Sequence, residues 1–230
     1  MKIYYRISNN SYKKNRLSHA TKEYCLNNFL QSFGKYDINM IADNVTDSSL
    51  LELIKSKESD TFKIEYTSLN NAHSFRHCLR RACKELNDDE CVYFIEDDYL
   101  HLPESDIVLL EGLKISNYVS LYDHPDKYID REAGGNPQIE GGGEVTRVVL
   151  TDSTHWKLTN STTCTFATKI KSLKEDMDIW ENATVTQYPN DYIAFTYLIN
   201  KGRSLITPIR GYATHTEISW LTPLIDWTKI

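Results

Sequence analysis

Three consecutive carboxylates, Glu96-Asp97-Asp98, directly follow five residues of apolar character in the segment CVYFIEDDYLHLP. Adjacent like charges repel one another, and removing even one of them from water is costly. A solvent-exposed turn would carry the triplet at little cost, whereas a metal site would use it. Carboxylate oxygens suit Mg²⁺ and Mn²⁺, and Mn²⁺ also accepts imidazole nitrogen. The triplet therefore indicates either a surface turn or a divalent-cation site.

The elements that precede the triplet alternate between strand and helix. Apolar runs predict strands over 2–8, 37–44, 62–68 and 91–95, and helical spacing predicts helices over 18–34, 47–59 and 72–86. Ser18 and either Asp47 or Ser48 are the expected caps of the first two helices. Such alternation predicts parallel strands, which bind ligands at their carboxyl ends. The predicted rim of this sheet carries Arg6, Asp43, the turn Asn70-Asn71 and the acidic triplet.

The second half of the chain has a different pattern. Residues 118–128 and 145–160 alternate as antiparallel strands do, and 131–145 contain five glycines and one proline, which favours a mobile loop or tight turns. A helix is predicted over 190–202, with Asn190 as its cap and Ile193, Tyr197 and Leu198 facing inward, followed by a last strand over 203–209. The predicted fold class is α/β, in one domain of residues 1–230. A mostly parallel nucleotide-binding half (1–103) precedes a mixed or antiparallel acceptor and catalytic half (104–230).

The composition narrows the function classes. The formal net charge of −6 argues against nucleic acid as a partner, because no basic field attracts a phosphate backbone. No apolar stretch reaches the length of a signal-peptide core or of a membrane span. The five cysteines are scattered and lack CxxC spacing, as expected of reduced thiols. We therefore expect a cytoplasmic protein.

Two segments carry a resemblance to a known family. The segment SLNNAHSFRHCLRRACKELNDDECVYFIEDDY joins an Asn-rich turn, a basic helix and an apolar strand to the acidic triplet, and PNDYIAFTYLINKGRSLITPIRGYATH joins an acid at a helix start to a strand and a histidine. Together they resemble the GT-A glycosyltransferases of the family-2 type, whose acidic triplet is the DXD motif. The stretches YVSLYDHPDKY, EGGGEV and HWKLTNSTT are similar to small glycosyltransferases encoded by large DNA viruses and some bacteria. A viral member would work in the host cytoplasm.

This resemblance implies a metal-dependent enzyme that moves a sugar from a nucleoside-diphosphate sugar, with UDP favoured, to a hydroxyl of a glycan acceptor. Asp98 and His215 match the family's ligands for Mn²⁺ or Mg²⁺. Asp191 matches the family's catalytic acid; it is expected to act as a general base that the positive end of its helix holds ionised, or simply to cap that helix.

The remaining site residues are also implied by the resemblance. The predicted nucleotide-binding residues are Arg6, Asp43, Asn71, Arg76, Glu96 and Asp97, with Glu96 standing where Asp is usual. The predicted donor or acceptor sugar contacts are Gly142, Trp156 and Asn160, although Trp156 also suits a core position and Gly142 a plain flexible loop.

Two other functions stay open. A sugar-phosphate nucleotidyltransferase would share the α/β architecture, but a Gly-rich loop is expected there after the first strand, and RISNNSYKKNRLSHA contains no glycine. A non-catalytic nucleotide-sugar-binding module would not need Glu96, Asp98, Asp191 and His215 together.

Overall fold

The structure is a computed structural model that describes residues 1–9 and 14–230. Within them, eleven strands β1–β11 lie, in chain order, at Lys2–Ser8, Asp37–Asp43, Phe62–Thr67, Cys91–Glu96, Tyr99–His101, Tyr118–Val119, Val148–Leu150, His155–Leu158, Phe166–Lys169, Leu205–Pro208 and Ala213–His215. Seven helices α1–α7 lie at Lys22–Phe33, Ser48–Ser56, Asn71–Glu85, Ser105–Ile115, Ile170–Glu175, Met177–Ala183 and Asp191–Asn200.

Nine of the strands form one mixed sheet in the order β3-β2-β1-β4-β9-β6-β10-β8-β7, and β11 pairs with β5 in a separate ribbon. The four strands β3, β2, β1 and β4 are parallel, whereas β9 is antiparallel to both β4 and β6, and β8 to both β10 and β7. This arrangement confirms the predicted α/β class, with a parallel first half followed by a mixed second half.

The chain changes direction across the sheet between β1 and β4. From β1 the chain builds outward through β2 to β3, and β4 then returns to the other side of β1. In open α/β sheets, the crevice at the carboxyl ends of the strands on either side of such a switch point is where ligands bind. Arg6 lies opposite Glu96 across this boundary, and Ser8 lies opposite Asp43 on the neighbouring strand.

Helices cover both faces of the sheet. Side chains alternate along β1 and β4, so Tyr5 and Tyr93 pack toward Phe29 and Phe33 of α1, whereas Tyr4 and Phe94 pack in the core that includes α3 and α5–α7. Arg6 follows Tyr4 at the same parity, and its guanidinium lies 5.0 Å from the centre of the Phe75 ring. The sheet thereby points Arg6 at α3.

Several predicted details are wrong. Thr21, not Ser18, caps α1, since the Thr21 side chain accepts the backbone N–H of Tyr24. Ile193 and Tyr197 are exposed, whereas Ala194, Phe195 and Leu198 form the buried face of α7. The strand predicted over 203–209 is not the last one, because β11 follows it and pairs with β5.

The glycine-rich segment forms tight turns. Gly134, Gly141 and Gly142 have φ angles of 93°, 69° and 65°, which suit glycine. The segment is held in place by the buried ammonium of Lys157, which lies 3.0 Å from Asp123 and 3.2 Å from Glu144. The two ion pairs connect Glu144, at the end of the segment, to Lys157 of β8 and through it to Asp123.

The five cysteines are free thiols, and three of them are buried. Among the described residues, no helix combines the length and the apolar character that crossing a membrane requires.

Candidate functional site

A cavity of about 410 Å³ opens at the carboxyl ends of β1, β2 and β4, beside the N-terminus of α3. The sheet brings together there the rim residues that the strand order predicts, Arg6, Asp43, Asn70, Asn71 and the acidic triplet. Four basic and four acidic side chains line it: Arg6, Lys14, Arg16, Lys22, Asp43, Glu96, Asp97 and Asp98. The local charge of the cavity is therefore balanced, although the whole chain is acidic.

Asp98 lines this cavity and contacts His215, although 117 residues separate the two in the sequence. β11 is antiparallel to β5 and pairs His215 with Tyr99, so the imidazole lies beside the acidic triplet. His215 Nε2 is 3.0 Å from Asp98 Oδ2, and both side chains are about one-tenth exposed. The pairing places one oxygen atom and one nitrogen atom that could both bind a metal ion next to each other.

Two cations from the segment between β1 and α1 also contact Asp98. Arg16 Nη2 lies 2.9 Å from Asp98 Oδ2, and Lys14 Nζ lies 3.5 Å from the same oxygen and 3.0 Å from His215 Nε2. Burial raises the pKa of Asp98, but His215, Lys14 and Arg16 outweigh burial and hold that pKa well below its usual range. Asp98 is therefore an anion in the folded protein at neutral pH.

The sequence analysis did not single out Lys14, Arg16 or Lys22. Lys14 and Arg16 belong to the run KKNR, which has no spacing pattern of its own. Both residues follow β1 in the chain, and β1 ends at the predicted binding rim. This position after β1 is the sequence feature by which Lys14 and Arg16 can be found.

Arg6 links the sheet to α3. Its Nη2 lies 2.6 Å from Glu96 Oε1, and its Nη1 donates to the backbone carbonyl and Oδ1 of Asn71 and to Ser74 Oγ. Burial raises the pKa of Glu96, and the Arg6 guanidinium opposes that shift. The ion pair fixes the first position of the acidic triplet against the start of α3.

Asp97 holds the other side of the same crevice. Its Oδ2 accepts the Ser8 backbone N–H at 2.9 Å and lies 2.5 Å from Lys22 Nζ at the first turn of α1. Asp97 thus ties β4 to the end of β1 and to α1, which is a structural role whether or not it also contacts a nucleotide.

Asp43 is buried at the far end of the cavity. Its Oδ1 accepts hydrogen bonds from Thr67 Oγ1 at 2.9 Å and from the Leu69 backbone N–H at 2.6 Å, and its Oδ2 accepts one from Asn44 Nδ2 at 3.0 Å. The carboxylate therefore shapes the turn that leads into α3, and Oδ2 accepts one hydrogen bond where a carboxylate oxygen can accept two.

Asp191 begins α7, and Asn190 caps that helix by accepting the Ile193 backbone N–H. Burial raises the pKa of Asp191 to about 7, and the negative charge of Glu96 adds to the shift, although the Tyr192 N–H lowers it. The prediction that the positive end of the helix holds this acid ionised is therefore wrong, because desolvation outweighs the helix. A carboxyl group that titrates near neutrality is suited to proton transfer.

Six predicted residues lie outside the cavity lining: His215 and Asp191, described above, and Arg76, Gly142, Trp156 and Asn160. Trp156 is fully buried under α4, and its Nε1 donates to Thr151 Oγ1, so the predicted sugar contact is wrong for Trp156. Arg76 points to Glu181 at 3.9 Å, which does not support the predicted nucleotide contact. A Cβ at Gly142 would lie 2.9 Å from the Tyr128 carbonyl oxygen, and Asn160 Nδ2 donates to Asn136 Oδ1 and Gln138 Oε1 in the second half of the chain.

The donor set of Asp98 and His215 fits a divalent cation. Within residues 1–9 and 14–230, no cluster of three or more His, Cys, Asp or Glu side chains is arranged as a complete metal site. Mg²⁺ and Mn²⁺ sites on phosphate substrates commonly have one or two protein ligands and take the rest from phosphate and water. Moreover, the Lys14 ammonium already lies within 3.5 Å of both donors, so the spot accommodates a positive charge.

Comparison with solved structures assigns the fold. GalNAc-T7, solved with UDP, GalNAc and Mn²⁺, superposes with a TM-score of 0.59 at 11% identity over 90% of this chain and 42% of that one. The putative nucleotide-diphospho-sugar transferase of Desulfovibrio desulfuricans G20 gives 0.51 at 10% identity, covering 90% and 78%. The 4-diphosphocytidyl-2C-methyl-D-erythritol synthase of Anaerococcus prevotii DSM 20548 gives 0.51 at 12% identity, covering 96% and 91%.

No protein-family model matches the sequence, and no curated protein matches it. At these low identities the structural likeness identifies the fold alone. The chain has the GT-A fold of nucleotide-sugar-dependent glycosyltransferases, as the resemblance of its sequence implies.

Proposed function

We propose that the protein is a metal-dependent glycosyltransferase that moves a sugar from a nucleoside-diphosphate sugar, in the first place a UDP-sugar, to a hydroxyl of a glycan. The observation that carries this proposal is the convergence of Asp98 and His215, 3.0 Å apart, at the switch point of a GT-A sheet. Asp98 and His215 are 117 residues apart in the sequence, and the fold brings both side chains to the sheet edge where a ligand is expected to bind.

The cavity offers a place for each part of the donor. The turn shaped by Asp43 would take the nucleoside base, and the N-terminus of α3, which carries the positive end of the helix dipole, would lie beside the diphosphate. Asp98 and His215 would hold Mn²⁺ or Mg²⁺, which when bound neutralises the charge that develops on the leaving diphosphate. Arg6 holds Glu96 at 2.6 Å, so this carboxylate is positioned for the ribose.

Asp191 is proposed as the general base toward the acceptor. Its carboxyl has a pKa of about 7, so about half of it is in the ionised form needed to accept a hydroxyl proton at neutral pH, and this fraction rises with pH. The acceptor half would bind the glycan, with Gly142 and Asn160 retained as proposed contacts. This role requires inversion at the anomeric carbon, which NMR of the product would establish.

A nucleotidyltransferase is the second candidate, because the synthase from Anaerococcus prevotii matches the chain over most of both lengths. The two reactions release different products. A glycosyltransferase releases a nucleoside diphosphate from a nucleotide sugar, whereas a nucleotidyltransferase releases inorganic diphosphate from a nucleoside triphosphate and a sugar phosphate.

The test is a pair of product assays with Mn²⁺ present. One supplies a panel of nucleotide sugars with glycan acceptors, and the other supplies nucleoside triphosphates with sugar phosphates. We expect nucleoside diphosphate release in the first assay, abolished by Asp98→Asn. Diphosphate release in the second assay would establish the alternative, and binding without turnover in either would point to a non-catalytic module.

A further inference from the structure

Lys14 occupies the position from which a cation can contact both candidate metal ligands. Its ammonium nitrogen lies 3.0 Å from His215 Nε2, 3.5 Å from Asp98 Oδ2 and 4.0 Å from Glu217 Oε2. Arg16 Nη2 adds a second positive charge 2.9 Å from the same Asp98 oxygen. A divalent cation at this spot would face both positive groups at close range, and like charges repel.

Lys14 and Arg16 together balance the negative charge of Asp98. Asp98 is about one-tenth exposed, and a buried carboxylate without a positive partner is costly. Lys14 and Arg16 supply that charge from the cavity wall, yet each side chain keeps about a fifth of its surface exposed. They are therefore positioned to turn toward a ligand in the cavity.

Arg16 also has one N–H group that donates no hydrogen bond to the described residues. Its Nε is enclosed and finds no hydrogen-bond partner among the residues that the structure describes. An enclosed N–H without a partner is disfavoured, and a phosphate oxygen would satisfy it. Guanidinium groups suit phosphate because they present several donors in one plane.

We propose that Lys14 and Arg16 are exchangeable cations: they neutralise Asp98 in the ligand-free protein and become ligands of the donor diphosphate when a divalent cation binds Asp98 and His215. This inference rests on the proposed function. It assigns Lys14 and Arg16 to the diphosphate subsite, in addition to the start of α3. It also makes metal and nucleotide binding mutually dependent, because each removes an obstacle to the other.

The test uses calorimetry on the full chain with Lys14→Gln and with Arg16→Gln. Each variant leaves Asp98 with one cation and His215, so neither strands the carboxylate. Mn²⁺ alone should bind each variant about threefold more tightly than the wild type, because one competing charge is gone. UDP, GDP and inorganic diphosphate are the anionic probes, and in saturating Mn²⁺ the probe that binds the wild type should lose about tenfold in affinity.

Two variants control for the loss of a surface charge. Lys63→Gln removes an exposed lysine on β3, whose partner Asp60 lies 3.7 Å away, and Arg147→Gln removes an exposed arginine outside the cavity. Neither should change the binding of Mn²⁺ or of the anionic probes. Equal effects in the controls would reduce the result to net charge and overturn the exchange.

The exchange requires both shifts in opposite directions. A variant that binds Mn²⁺ no more tightly, or that binds the anionic probe as well as the wild type does, overturns it while leaving the proposed function intact. A wild type that binds none of the three anionic probes in Mn²⁺ overturns the proposed function and the exchange together.

Discussion

Asp191→Asn should make the protein more stable while it removes activity. Burial, with a contribution from Glu96, raises the pKa of Asp191 from 3.8 to about 7. An acid whose pKa is raised by folding penalises the folded state in its ionised form. This penalty is absent below pH 3.8, grows between pH 3.8 and about 7, and is complete above pH 7.

The size of the effect follows from the shift. A change from 3.8 to about 7 corresponds to about 4 kcal/mol at 1.36 kcal/mol per pH unit. Asp191 is only half-buried and keeps contact with water. We therefore expect Asp191→Asn to raise the free energy of unfolding by about 1–2 kcal/mol. For a chain of this length that is a rise in Tm of about 2–8 °C at pH 8.

The assay compares wild type and Asp191→Asn by thermal or denaturant unfolding between pH 4 and pH 8. The stability difference should be near zero at pH 4 and largest at pH 8. Turnover should fall by about two to four decades with little change in UDP affinity, the scale expected for losing a general base. Wild-type turnover should itself decline as the pH falls through about 7, because Asp191 then becomes protonated.

Asp178→Asn is the matched control, since Asp178 is an exposed aspartate in the first turn of α6. It should change neither stability nor turnover beyond a few tenths of a kcal/mol. An Asp191→Asn variant that is no more stable than wild type at pH 8 would refute the burial argument. Turnover at the wild-type level would leave Asp191 with no role beyond the start of its helix.

Three further substitutions test the site and the core. Asp98→Asn should abolish transfer, which a donor-turnover assay checks. It should also lower the free energy of unfolding at pH 7 by about 1–3 kcal/mol, because Lys14, Arg16 and His215 lose the anion that they share. Denaturant unfolding checks the second effect. His215→Ala should give a milder loss of turnover that excess Mn²⁺ partly restores, and a loss that Mn²⁺ leaves untouched would exclude His215 as a metal ligand. Gly112→Ala should cost about 1–3 kcal/mol of stability in thermal unfolding, since its new Cβ would lie 2.7 Å from Val119 Cγ1 and 2.8 Å from Trp156 Cη2.

The sequence predicts the parallel half of the fold well because three of its four strands, β1, β2 and β4, are buried on both faces. Apolar runs such as that of β4 can hardly be anything but central strands once helices flank them, and their order determines which loops meet. The same logic brings Asp43 and Asp98 to one edge. Only the family resemblance, however, pairs Asp98 with His215, since no local pattern reports a contact across 117 residues.

What the sequence does not predict depends on tertiary packing. α7 reads DYIAFTYLIN, which is apolar nearly all round, so its periodicity cannot decide between Ile193 and Phe195 as the inward residue. An aromatic residue in a hairpin can pack either against a sugar or in the core, and the sequence does not distinguish the two. Trp156 lies in the core against α4, where Gly112 leaves room for its ring. Lys14 and Arg16 lie in a segment without periodicity, and only the fold reveals what they contact.

The charge pattern of the cavity would allow an acidic protein to bind the proposed nucleotide-sugar donor. A net charge of −6 would repel a nucleotide at long range, but at physiological salt that repulsion is largely screened beyond about 8 Å. Inside the cavity each carboxylate of the triplet already has a cation in contact, Arg6 with Glu96, Lys22 with Asp97, and Arg16 with Asp98. A diphosphate that enters the cavity would therefore meet acids that are already paired with basic side chains rather than bare negative charge. The triplet can be read as the anchor that holds these cations at the switch point, and the three carboxylates are stable there for that reason.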